Sequence, residues 1–528
     1  MKTMALGRRW SRIVLPALLC VMVVGGAAFG GEEGRAKYVF LFIGDGMGVA
    51  QRQAAELYVA ALKEPARSGR DRLLMNTFPS QGLTATHDLT SVIPDSSSAG
   101  TAISTGFRTR SGVVGMDADA KVPYETIAES AKKCGWKVGI LTTVSLDHAT
   151  PAAFYAHVPS RGHMYDISLQ LARSGFDYFA GGQLMEPVSK SDPDKPNALE
   201  EAKKNGYTVA MGRAGLDALK PGIGKTIAMS ANVDQFAAMY FTVDQAREGG
   251  HVSLADYLVK GIELLENPEG FFIMVEGGRI DWACHGNDAG AAIHDTLALD
   301  EAVAKAVAFS RKHPEETLIV VTGDHETGGM ALGFAGTRYT FSIDKIQRQK
   351  MSYIQFNSRL EEYKRAHNST ADAKLEDLMP LIQEAFGLYI MPDEEKAVLT
   401  KTVAAGKTQG ASDEVKNAGR DAELKLKSGM ALSDLELSVL RDAFKQSMIG
   451  RKERVKDDHA YLVYGNEEPL TVKLTTILNN KAGLAWTSYS HTGAPVQTSA
   501  LGTGAEQFNG YYHQTEIHRK IMAITGLR

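Results

Sequence analysis

Asp45, Glu276, Asp281, His285, Asp324, His325 and His491 are the residues of this chain whose types and placement ask for a chemical explanation. Asp45 closes the apolar run KYVFLFIGDG, Glu276 closes FFIMVEGG, and Asp324 with His325 closes TLIVVTGDH. Asp281 and His285 stand four apart, on one face if that segment is helical, and His491 comes last, in SYSHTG. Taken singly, an Asp after a strand caps a turn and a His fills a hydrogen-bonded niche. Taken together, acidic and imidazole groups at the ends of separate strands would pack unbalanced charge into one crevice unless cations were present. Oxygen and imidazole donors without thiolates suit zinc or magnesium, and two neighbouring zinc ions can hold the attacking and leaving oxygens of an in-line phosphoryl transfer.

A hydroxyl candidate lies in IPDSSSAGTAISTG. The small residues after Pro94-Asp95 read as a strand-to-helix turn, which puts a serine and several unpaired backbone amides at a helix N-terminus, where phosphate is well received. A Ser-rich helix cap would look the same. Cys284 adjoins His285, but neighbours on a helix point about 100° apart, so it reads as a small buried apolar residue rather than a ligand. His157 and His294 fall inside predicted elements and read as structural.

These residues need a scaffold that gathers them. The apolar runs lack alternation, as strands buried on both faces of a parallel sheet do. Between them, YETIAESAKKCG, VSLADYLVKGIELLENP and DTLALDEAVAKAVAFSRKH carry apolar residues at three- and four-residue spacing. The alternation predicts an α/β fold, a doubly wound and largely parallel central sheet flanked by helices. In such sheets functional groups gather beyond the carboxyl ends of the strands. Residues about 340–470 break the rhythm with charged amphipathic helices, for example LSDLELSVLRDAFKQS, where Ser433 and Glu436 form a capping box and Leu437, Leu440 and Phe444 share a face. This block reads as a helical insertion. A strand-rich tail is expected after it, with AYLVYG, TVKLTTIL and GLAWTSYSHTG as strands and a last helix at about 514–525.

The chain has 528 residues, 44% of them apolar, enough for a large core. Lys2, Arg8, Arg9 and Arg12 precede an apolar run from Ile13 to Val24 and small residues follow, so residues 1–30 read as a signal peptide and residues 31–528 as one catalytic domain. The run is short for a membrane span, so no span is expected after cleavage. Arg8-Arg9 partly fits twin-arginine export. Cys20 fits a lipoprotein signal poorly, because bulky Leu19 precedes it. Loss of the four cationic residues takes the formal charge from −4 to −8. With no basic stripe interleaved with aromatics, a nucleic-acid-binding surface is not expected. Cys134 and Cys284 alone cannot build a disulfide framework.

With GDGMG around Asp45, Ser96 between Asp95 and Thr101-Ala102, ATPAAFYAHVPSR, EGGRIDWACH, TGDHETGG and SHTGAP in this order, the chain resembles the alkaline phosphatase family from about residue 36 to its C-terminus. The resemblance implies that Asp281, His285 and His491 hold one zinc ion, that Asp324, His325 and Asp45 hold another, and that Asp45, Thr150 and Glu276 hold magnesium. It implies that Arg161 clamps phosphate, that Ser96 is the nucleophile, passing through a phosphoserine with retention at phosphorus, and that Ser97 and Ser98 are helix residues. His148 stands where the best-known enterobacterial pattern has Asp, and Trp282 where it has Lys. That pair resembles some marine and thermophilic bacterial members, and it leaves the third ion open, because an imidazole favours a softer ion than Mg²⁺. Trp282 and His148 are then substrate-side residues, with the indole N–H as a donor to phosphate. The expected substrates are small phosphate monoesters, the expected location is periplasmic or secreted, and a homodimer is possible because family members are often dimers. A phosphodiesterase or sulfatase on the same scaffold is the first rival. An exported phosphate- or metal-binding protein without catalysis is the second.

Overall fold

A computed structural model describes residues 35–62, 72–245, 251–367 and 372–528. The expected signal peptide at 1–30 lies outside them. The strands are β1 (Tyr38–Gly44), β2 (Ser80–Ala85), β3 (Lys137–Thr142), β4 (Tyr178–Gly181), β5 (Tyr207–Met211), β6 (Lys225–Met229), β7 (Phe271–Glu276), β8 (Thr317–Gly323), β9 (Glu326–Thr327), β10 (His491–Thr492), β11 (Val496–Gly502) and β12 (Gly510–His513). Ten of them form one sheet in the order β12-β2-β11-β8-β1-β7-β3-β4-β6-β5, and β9 pairs with β10 separately. Only β11 runs against its neighbours β2 and β8 among the ladders of this sheet.

β1, β7 and β8 are buried at every position. Successive side chains of a strand point to opposite faces, so each central strand feeds two cores. In β1, Tyr38, Phe40 and Phe42 enter the core packed under the long Ala289–Ser310 helix, while Val39, Leu41 and Ile43 enter the core on the other face. The register then sets the site. Gly44 pairs with Gly323, Ile43 with Glu276, and Glu276 with Thr142, so four adjacent parallel strands, β8-β1-β7-β3, end side by side.

The predicted helices form at Ile127–Lys133, Leu254–Leu265 and Ala289–Ser310, and the last helix at Thr515–Thr525. The block after residue 340 is helical, and the Ser433–Glu436 capping box is present, with Leu440 and Phe444 buried. The expected strand-rich tail is corrected in its first half. AYLVYG belongs to the Asp458–Tyr464 helix and TVKLTTIL to the Pro469–Ala482 helix. Asp457 accepts the Ala460 N–H as N-cap of the first, and Pro469 opens the second. The second helix buries most of its surface, Leu470, Val472, Leu474, Ile477 and Leu478 among them, which erases the helical period from its sequence. In GLAWTSYSHTG only His491–Thr492 is strand. Strand structure returns with β11 and β12.

Candidate metal and phosphate site

The loop after β1 turns at Gly46, whose φ is +69° and whose missing Cβ would meet Asp281 Cα at 2.8 Å. Any side chain there would push apart the two loops that present Asp45 and Asp281. Gly46 N–H donates to Asp324 Oδ1 at 3.1 Å, tying the ends of β1 and β8. Asp45, Asp324 and His325, all fully buried, form one cluster, with His325 Nε2 3.3 Å from Asp45 Oδ1 and from Asp324 Oδ2.

A second cluster joins Asp281 and His285 of the Arg279–His285 helix to His491 of β10. His285 Nε2 lies 3.3 Å from Asp281 Oδ2, and His491 Nε2 lies 3.6 Å from Asp281 Oδ1 and 3.2 Å from His285 Nε2. His285 Nδ1 faces the Tyr489 carbonyl at 2.6 Å and His491 Nδ1 faces the Pro94 carbonyl at 2.8 Å. A carbonyl only accepts, so both Nδ1 atoms carry hydrogen and both Nε2 lone pairs converge beside a carboxylate. A third cluster comprises Asp45, Glu276 and His148, with donor atoms within 4.8 Å of one another. Thr150 Oγ1 donates to Asp45 Oδ2 at 3.1 Å, and Thr142 Oγ1 donates to Glu276 Oε2 at 2.5 Å.

These clusters fit cations on their own chemistry. Asp45 Oδ1, Asp324 Oδ2, Glu276 Oε1 and His148 Nδ1 are buried with no hydrogen-bond partner among the described residues. Burial, reinforced by neighbouring carboxylates, pushes Asp45, Asp324 and Glu276 well above the usual carboxylate range. Burial and the facing His491 hold the His325 imidazole well below its usual value, as a neutral ligand. Burial opposes charge on His285, yet Asp281 draws it up to about 9, so a proton is attracted to the spot where the two Nε2 atoms meet. Uncompensated negative charge of this kind calls for protons or metal ions.

Asp95 N-caps the Ser96–Thr105 helix, accepting the Ser98 N–H at 3.0 Å. Ser97 Oγ donates to Asp95 and Ser98 Oγ to Asp95 and Asp88, while Ser96 Oγ lies 3.3 Å from His325 Nε2. Of the three hydroxyls, that of Ser96 faces the metal clusters. Arg161 donates from Nη1 to Asp95 at 3.0 Å, and its Nη2 lies 3.1 Å from His148 Nε2. Burial, with Arg161 beside it, lowers the His148 imidazole to about 3. Trp282 packs edge-on against His148, with ring centroids 6.0 Å apart, and carries Arg279 over its face. His148 therefore joins the third cluster besides touching Arg161, a double position that Asp147-His148 in the sequence did not signal. Asp95 and Thr327 were also missed. Asp95 orients Arg161, a role that neither its cap position nor its place in the motif before Ser96 signals, while Thr327 donates to Asp281 Oδ1 at 2.5 Å from a two-residue strand.

Cys284 is buried and its thiol is pushed up by that burial, which suits packing and not ligation. Gln51 points toward its sulfur. His157 bonds Glu129 and the Gly115 carbonyl, and His294 contacts Tyr58, both away from the clusters.

Residues 36–527 match the sequence profile of the family described as alkaline phosphatase. The chain belongs to the alkaline phosphatase family. Among its relatives, alkaline phosphatase 3 of Bacillus subtilis (strain 168) is 28% identical over 502 residues, covering 93% of this chain and 89% of the relative. In fold, this phosphatase is similar to the cold-active alkaline phosphatase of Shewanella sp., with a TM-score of 0.66 at 23% identity over 92% of this chain and 99% of the other. It is also similar to the Thermus thermophilus enzyme, with a TM-score of 0.65 at 24% identity over 97% and 96%. Family membership makes this chain a metal-dependent phosphatase that acts on phosphate monoesters.

Proposed function

We propose that the phosphatase works through Ser96 as nucleophile, with a phosphoserine intermediate, and that residues 1–30 export a catalytic domain of 31–528 to the periplasm or medium. The observation that carries the reading is Ser96 Oγ at 3.3 Å from His325 Nε2, at a helix N-terminus and beside buried carboxylates. Asp281, His285 and His491 would hold one zinc ion and Asp45, Asp324 and His325 a second. Asp45, Thr150, Glu276 and His148 would hold the third ion, magnesium or a softer one. Bound there, the metals supply positive charge to the attacking and leaving oxygens of the phosphoryl transfer.

The chain's own residues do the rest. The Ser96–Thr105 helix directs its free amides and positive dipole end at the phosphate. Arg161 presents a planar fork to two non-bridging oxygens, held in aim by Asp95 and His148. Ser96 Oγ gives its proton to solvent and bonds to phosphorus as the ester oxygen leaves and takes a proton from water. Water then releases phosphate from Ser96, so configuration is retained over two inversions.

Purified enzyme supplied with Zn²⁺ and Mg²⁺ at pH 8–10 should cleave a monoester far faster than a diester. Ser96→Ala should lower monoester turnover by at least about 10³-fold and abolish trapping of labelled phosphate on the protein. Preference for the diester would favour a phosphodiesterase, and an inert metal-loaded protein would favour a binding role. Labelling that persists in Ser96→Ala would remove Ser96 from the reaction.

A further inference from the structure

Arg279 and Trp282 share the short helix that carries Asp281 and His285, yet neither belongs to a metal cluster. Both contact a loop at 233–239, which a bridge between Val233 and Met239 closes. The Arg279 guanidinium holds that loop at both ends, donating from Nη2 to Asp234 Oδ2 at 2.5 Å and from Nε to the Met239 carbonyl at 2.6 Å. Within the loop, Asp234 Oδ1 accepts the Phe236 N–H at 2.8 Å and the Ala238 N–H at 3.2 Å. Ala237 takes a left-handed φ of +57°, a conformation that a residue with a Cβ keeps where its surroundings hold it. Its carbonyl accepts the Gln183 N–H at 2.8 Å and packs so close to Gly182 that a Cβ there would meet it at 2.4 Å.

The braced loop presents one ring. Phe236 is 41% exposed, so burial contributes little to its placement, but it meets the Trp282 indole edge-on, with centroids 5.5 Å apart at 83°. Trp282 is thereby enclosed by Phe236, by the Arg279 guanidinium 4.8 Å from its ring centre, and by the His148 ring at 6.0 Å. His148 Nε2 lies 3.1 Å from Arg161 Nη2, and Asp95 holds the other arm of the same guanidinium. Phe236, Trp282, His148 and Arg161 therefore form an unbroken run of contacts from the outer loop to the phosphate side of the site.

We propose that Phe236 is a positioning residue for phosphate: as the outer wall of Trp282 it holds the indole on His148 and so keeps the Arg161 fork in aim. Phe236 acts through the indole and not on phosphate itself. Without its ring, Trp282 turns outward, His148 loses a wall, and the guanidinium keeps its charge while sampling more orientations. Affinity falls for the phosphate of a substrate and for inorganic phosphate alike, while the chemistry at Ser96 is untouched. The inference rests on Arg161 as the phosphate clamp.

The test uses the full metal-loaded enzyme and reads KM and kcat for a monoester, inhibition by inorganic phosphate, and acrylamide quenching of tryptophan fluorescence. Phe236→Leu should raise KM and the phosphate inhibition constant together by about fivefold, the effect expected of one aromatic pair, with kcat changed by less than about twofold. Phe236→Tyr, which keeps the ring, should retain the wild-type values. Quenching should increase in Phe236→Leu, and the increase should vanish when Trp282→Phe is combined with it. In a Trp282→Leu background, Phe236→Leu should add nothing to phosphate inhibition, because its effect passes through the indole. Unchanged phosphate inhibition in Phe236→Leu, a loss confined to kcat, or an undiminished effect in the Trp282→Leu background overturns the proposal. Arg161→Ala separates the two readings: inhibition unmoved there removes the clamp and this inference with it, whereas inhibition weakened by Arg161→Ala and not by Phe236→Leu removes Phe236 alone.

Discussion

Asp295 gives a quantitative handle on how this fold tolerates alkaline conditions. It lies on the Ala289–Ser310 helix, is 4% exposed, and accepts the Thr242 N–H at 3.1 Å. Burial pushes its carboxyl from 3.8 up to about 7, with Asp244 adding to the effect and Thr242 and Arg279 opposing it. The native pKa is above the unfolded one, so the native state prefers the protonated form. Stability from this group is therefore full below about pH 4, falls as pH rises toward 7, and stays low above that. The span from 3.8 to about 7 corresponds to about 4 kcal/mol. Asp295→Asn keeps an amide oxygen for Thr242 and never ionises. In guanidinium melts of metal-loaded wild type and variant, the two should match near pH 4. The variant should gain about 1.4 kcal/mol per pH unit up to pH 7 and hold that lead at pH 8.5. A difference independent of pH, or a variant that loses ground as pH rises, would refute the reasoning.

Further outcomes follow from other contacts. Chelation should abolish activity and lower the melting temperature together, because Asp45, Asp324 and Glu276 are left buried and uncompensated; a melting temperature unmoved by chelator and by re-added Zn²⁺ would contradict this. Asp234→Ala should destabilise by about 3–5 kcal/mol in denaturant melts, since it takes from the buried Arg279 guanidinium the carboxylate it pairs with at 2.5 Å and leaves it the Met239 carbonyl and two aromatic faces. Thr126→Ala should cost about 1 kcal/mol by the same melts, through loss of the Thr126–Glu129 capping box. Arg161→Ala should raise KM and weaken inhibition by inorganic phosphate, and unchanged phosphate inhibition would remove Arg161 from the clamp.

The central strands were readable because burial on both faces leaves an unbroken apolar run, and the carboxylates and histidines stood where those runs stopped. TVKLTTIL imitates a strand for the same reason in reverse, whereas AYLVYG does so through its aromatic and β-branched residues on a short helix with none of them buried. A helix buried on most of its surface also loses its period, and Thr, Val and Ile in it imitate a strand. Pro469 and the Asp457 cap carried the contrary signal. Which cluster each ligand joins follows from the family resemblance and not from residue spacing. The grouping depends on strand order, since β8-β1-β7-β3 are adjacent in space and scattered in sequence. His148 bridging Arg161 to the Asp45–Glu276 cluster, and Asp95 aiming Arg161, depend on loop conformations that residue spacing does not encode.

His491 arrives on β10, which pairs with the two-residue β9, late in the chain and beyond the whole helical insertion. A polypeptide emerging from its N-terminus therefore carries Asp281 and His285 for some two hundred residues before their third companion exists. Until that short ribbon docks, the chain has the proposed nucleophile and most of the residues proposed to hold its metals, but not His491. Fragments lacking the last few dozen residues, His491 among them, should be inert.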